Sequence, residues 1–171
     1  MKSMNHHIFF ASVIAFIVIS APAIMANGKQ DDINPQAILD ESNLENGKSI
    51  YVTGAPLSKP HLSFNAGPHW LRTEGGGCGI CHGPKGLGNI QPEFCFVTTP
   101  PITFKYLTGD GYPSASRQNG THPNYSARTL QRAIETGIKP NGYELDYCMP
   151  RWRISDKDFK DLLGHLISLD N

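Results

Sequence analysis

Apolar residues are distributed unevenly along the 171 positions, and their spacing changes three times. From Ile8 to Ala23 they form an almost unbroken run of 16 residues. That length suits the core of an export signal and falls short of the ~20 residues a spanning helix needs. A polar stretch without period follows, from Asn27 to Glu41. Helical spacing starts at Asn43 and runs to Val52, with Leu44, Ile50 and Tyr51 apolar, Gly47 between them and Gly54-Ala55-Pro56 as the stop. The chain is then turn-rich as far as Gly75-Gly76-Gly77, where Trp70 and Leu71 are the residues expected to reach a core. After His82 the pattern is irregular again through Pro100-Pro101 to about Asn124. A second helix is predicted from the cap Ser126, with Leu130, Ala133 and Ile134 on one face and Gly137 as terminator. The clearest helix follows Ser155-Asp156-Lys157-Asp158, an S-x-x-D cap, with Phe159, Leu162, Leu163, Leu166 and Ile167 at helical spacing. No alternating segment is long enough to build a sheet. The pattern predicts an all-α domain with long loops.

This divides the chain into residues 1–26 as a signal peptide or an uncleaved anchor, 27–42 as a flexible arm, and 43–171 as one domain. Cleavage is expected after Ala26, because Ala21-Pro22-Ala23 and Ala26 supply small residues and polar Asn27-Gly28-Lys29 begins there. Either form is exported, and in a bacterium the periplasm is the expected location. A membrane partner is implied only by a retained anchor. Loss of residues 1–26 leaves five histidines and one methionine, Met149. Charge is balanced at 15 basic and 15 acidic residues, so nothing favours a nucleic acid as partner. Glycine (17) and proline (13) are abundant, so a core among so many loops needs an additional organiser.

Cys78-Gly79-Ile80-Cys81-His82 is C-x-x-C-H, the attachment sequence for c-type haem. Two thiols three residues apart on one helical turn meet the two vinyl groups of a porphyrin, and the next residue directs an imidazole at the iron. A thioredoxin-like dithiol would need a βαβ surround, and the neighbouring glycines and Pro84 do not provide one. A zinc site would need a second paired motif, whereas Cys95 and Cys148 stand alone in sequence. The sixth position on the iron is either open or filled. Met149, in Asp146-Tyr147-Cys148-Met149-Pro150-Arg151-Trp152, is the remaining thioether, and His/Met ligation suits an electron carrier. A lone methionine also serves as core filler. His61, His69, His122 and His165 are the rival ligands, His165 being expected as a packed imidazole on a helix face and His122 in a surface loop. Arg151 and Trp152 are candidates to meet a haem propionate or to pack ordinarily.

Taken together, these residues resemble a class I cytochrome c from about Asn43 to Leu169. Gly47-Lys48-Ser49-Ile50-Tyr51 is similar to the family's first helix, whose glycine lets the last helix cross closely. Gly83-Pro84-Lys85-Gly86 is similar to the turn whose proline carbonyl accepts a hydrogen bond from the proximal histidine, here Pro84 and His82. Met149-Pro150 matches the methionine-ligand turn, and Leu162-Leu163-Gly164-His165-Leu166 the last helix. The 27 positions from Tyr51 to Cys78 indicate an insertion over the haem crevice, as in larger relatives, and His165 replaces the usual aromatic. The resemblance implies a cytochrome c fold of three to five helices with long loops around one covalent haem c, ligands His82 and Met149, and electron transfer to redox proteins met transiently. Two alternatives stay open: a haem enzyme or gas sensor with an open sixth site, and a cytochrome subunit of a periplasmic dehydrogenase. Cys95 and Cys148 form an even pair in an oxidising compartment. A bridge between them would pin the Met149 turn and close a loop of 53 positions, with an upper limit of about 4 kcal/mol. The alternatives are two buried thiols, or Cys148 as a substitute ligand.

Overall fold

In the computed structural model, which describes residues 33–109 and 124–170, a glycine sets the central contact. Gly47 lies in α2 (Leu44–Thr53), where α7 (Asp156–Ser168) crosses it. A Cβ at Gly47 would overlap the Asp161 carbonyl, so only glycine lets the two backbones meet. Asn43 caps α2 by accepting from the Asn46 N–H at 3.0 Å, and Gly54 ends it with φ of +72°. Ser155 caps α7 in the same way, accepting from the Asp158 N–H at 3.2 Å. Between the two helices Ile50, Tyr51, Leu162, Leu163 and Leu166 are buried, each worth about 1.5–3 kcal/mol over exposure.

A polar pin runs alongside. The Asn46 amide donates to Asp158 at 3.1 Å and to Asp161 at 2.7 Å, while Asp161 also accepts from the Asn43 N–H at 2.8 Å. Burial alone would raise both carboxyls. For Asp158 the hydrogen bonds from Ser155 and Asn46, with Lys59 nearby, outweigh it; for Asp161 those from Lys157, Asn43 and Asn46 do. Both therefore lie below the usual carboxylate range. A depressed folded pKa gives stability that is full above the unfolded value, about 3.9, and lost as pH falls through the folded one. We expect the urea midpoint to fall as pH drops below about 4. The double replacement Asp158→Asn with Asp161→Asn should flatten that fall; an equal fall in the variant would place its origin elsewhere.

Three further helices complete the described frame before α6: α3 (Trp70–Glu74), α4 (Cys78–His82) and α5 (Phe104–Thr108). The helix α6 (Ala127–Thr136) begins with a reciprocal cap between Ser126 and Thr129 and ends at Gly137. The three helices expected from periodicity are thus α2, α6 and α7, and the described residues are mostly helical, with seven helices rather than the expected three to five because short ones form in the loops. Two differences stand out. Residues 35–41, expected inside a flexible arm, form helix α1 (Pro35–Glu41), capped by Asn34. It packs Ile38 and Leu39 on the core, and Glu41 pairs with Lys160 of α7 at 2.8 Å, so the domain begins before residue 43. The long insertion also contributes strand β1 (Phe64–Asn65), antiparallel to β2 (Arg151–Trp152), with the Phe64 and Trp152 rings 4.7 Å apart. The expected export signal and His122 lie outside the described residues. Among the described residues no helix is long and apolar enough to cross a membrane.

Candidate functional site

Helix α4 is laid directly on α2 by glycines. At Gly77 a Cβ would overlap the carbonyls of Ile50 and Tyr51, and at Gly79 it would come within 2.9 Å of the Tyr51 ring. The Tyr51 hydroxyl then donates to the Gly83 carbonyl at 2.5 Å, closing the far end of α4 onto α2. The Thr99 hydroxyl donates to the Cys81 carbonyl at 2.8 Å, so the returning loop also grips α4. Both thiols are free and half-buried. Burial pushes the Cys78 thiol up to about 12 and raises Cys81 as well, so both are protonated near neutrality.

His82 is buried, and burial lowers its pKa, with the Pro100 hydrogen bond opposing in part. Its Nδ1 is 2.8 Å from the Pro100 carbonyl. A carbonyl only accepts, so Nδ1 carries the proton and Nε2 keeps a lone pair. That is the tautomer a metal-ligating imidazole needs. The expected acceptor was the Pro84 carbonyl, and here the structure corrects the reading. After Gly83 (φ +80°) the chain turns back on itself, with the Gly86 N–H donating to the Gly83 carbonyl at 3.1 Å, and Pro84 faces solvent. The loop then returns and sets Pro100 on the imidazole. A diproline 18 positions downstream gives no local sign of this contact.

Cys78 and Met149, 71 positions apart, line one apolar cavity, whose walls include Ile50, Leu62, Ile134 and Trp152. His82 is not among those walls. Trp152 is buried and packs against Phe64 with the rings tilted. Arg151 extends along the Met149 turn and donates to the main-chain carbonyls of Leu145, Asp146 and Met149. Of the rival histidines, His61 and His69 are exposed. His165 is packed, 9% exposed, with its ring 5.0 Å from that of Tyr51.

Cys95 and Cys148 form a disulfide, with Cα atoms 6.0 Å apart. The bridge ties the loop after α4 to the residue preceding Met149 and removes both sulfurs as metal ligands. Among the described residues no three His, Cys, Asp or Glu side chains gather as a metal site, and the two-residue strands do not form a βαβ unit. A zinc centre and a thioredoxin-like dithiol therefore gain no support. Residues that the sequence reading missed are Pro100, Gly137 and Thr99; for Gly137 only its role as a helix stop was visible. Compared with known proteins, the chain matches no family model, no curated protein and no solved structure.

Proposed function

We propose that the chain is a class I c-type cytochrome: an exported electron-transfer protein holding one haem c on Cys78 and Cys81, with His82 and Met149 as axial ligands. The observation that carries this reading is that two sulfurs distant in sequence border one small apolar cleft. The first thiol of a C-x-x-C-H motif and the thioether expected as ligand line one apolar space although 71 positions separate them. The donor set also fits: two free thiols, an imidazole with Nε2 unengaged and Nδ1 held, and a soft sulfur. Haem supplies a reversible one-electron change at iron. The chain's own work is to hold and to exclude. Pro100 fixes the His82 ring and makes its Nε2 a better donor, and the Met149 thioether favours the ferrous state. Ile50, Leu62, Ile134 and Trp152 keep water from the centre, which raises the potential further. Electron partners would meet the protein through a small, short-lived interface. The Cys95–Cys148 bridge and the apolar run at residues 8–23 support export into an oxidising compartment.

Covalent attachment is the direct test. Protein produced with its leader in a cell that attaches haem c should keep its colour after denaturing acid extraction. Cys78→Ser with Cys81→Ser should lose it. A wild-type polypeptide left colourless by extraction overturns the proposal.

A further inference from the structure

Met149 sits on the turn of residues 145–150, and a single side chain threads the inside of that turn. Arg151 Nη2 donates to the Leu145 carbonyl at 2.9 Å and to the Asp146 carbonyl at 3.4 Å. Its Nη1 donates to Asp146 at 3.3 Å and to the carbonyl of Met149 itself. The space for the guanidinium exists because residue 137 has no side chain: a Cβ on Gly137 would overlap Arg151 Nε. The turn is also tied to its surroundings, by the Gly67 N–H donating to Tyr147 at 2.9 Å, the Leu145 N–H donating to Gly137 at 2.6 Å, and the disulfide. Those ties set where the turn lies. The turn also closes on itself, the Met149 N–H donating to the Asp146 carbonyl at 3.1 Å, and among the described residues Arg151 is the side chain that reaches the carbonyls of both Leu145 and Met149.

We infer that Arg151 is the positioning residue for Met149: its guanidinium, admitted by Gly137, holds the main chain from which the thioether projects, so that the sulfur is in place for the iron in both oxidation states. This rests on the haem reading above. Arg151 acts through Met149 and is assigned no contact with the cofactor. Charged donors make the stronger hydrogen bonds, and a planar fork reaches several carbonyls at once where an ammonium cannot.

The test uses the haem-loaded protein and four variants: Arg151→Gln, Arg151→Lys, Gly137→Ala and Gly142→Ala. Gly142→Ala is the matched control, since Gly142 also has a left-handed φ (+87° against +77°) but nothing lies within 4 Å of its Cβ position. Two readouts report on the thioether bond rather than on folding: the weak long-wavelength charge-transfer band of the ferric protein, and the rate at which carbon monoxide binds the ferrous form. Far-UV circular dichroism confirms that each variant is folded. Arg151→Gln and Gly137→Ala should lose much of the band and bind carbon monoxide at least about tenfold faster. Arg151→Lys should fall between them and wild type, and Gly142→Ala should match wild type. Unchanged band and rate in folded Arg151→Gln, or equal changes in Gly137→Ala and Gly142→Ala, overturn the inference. Should Arg151→Gln not fold, the Gly137→Ala and Gly142→Ala comparison decides alone. A wild-type protein with covalent haem but no band overturns the Met149 assignment, and the positioning role with it.

Discussion

Gly47→Ala should destabilise the protein by about 3 kcal/mol or more, a large share of a typical 5–15 kcal/mol. The expectation has a clear sign because the two relevant effects oppose each other. In the middle of an ordinary helix, alanine is favoured over glycine by about 0.8–1.0 kcal/mol. At residue 47 the added methyl would overlap the Asp161 carbonyl and crowd His165 Cβ, and neither can move without parting α2 from α7. Separation would also break the bonds from Asn46 to Asp158 and Asp161. Urea denaturation of the variant measures the sum. A midpoint equal to or above wild type would mean that the helices do not cross at this glycine.

Met149→Ala has the second large expected effect, on the site rather than the fold. Under the proposed ligation the variant should lose the long-wavelength band, show a markedly lower reduction potential and bind carbon monoxide readily as the ferrous protein. Met149 is partly exposed and borders the cavity, so its removal leaves most of the core intact. An unchanged spectrum and potential would assign the position to another side chain. His165 is the weakest substitute among the described histidines, because its ring is buried and packed against that of Tyr51.

Legibility in the sequence followed the range of each signal. Helices α6 and α7 could be read because their caps, apolar faces and stops lie within a few residues of one another. Helix α1 was passed over because only Ile38 and Leu39 give it an apolar face, although Asn34-Pro35 is a cap followed by a first-turn proline. The five-residue helices α3 and α5 are too short to show a period. At the site, the C-x-x-C-H motif is local and was evident. The acceptor for His82, the space beside Arg151 and the pairing of Phe64 with Trp152 are contacts between distant segments. Periodicity carries no information about those. The Cys95–Cys148 pairing was the exception, because two otherwise idle sulfurs in a chain expected to be exported have few alternatives.

The crossing of α2 and α7 also governs when the chain can fold. Asn46 and Asp161 are 115 positions apart, and closing a loop of that length costs about 2 kcal/mol more than closing one of ten residues. At about 5–20 residues per second, α2 leaves the ribosome roughly 6–23 s before the helix that completes its burial. Throughout that interval Ile50 and Tyr51 have α4 beside them but lack the leucines of α7, and the Gly47 face is uncovered. Folding therefore cannot proceed in step with synthesis. A nascent chain that ends before Asp156 has most of its elements in hand but leaves the Gly47 face of α2 bare, so whatever escorts the protein must keep that face covered until α7 arrives.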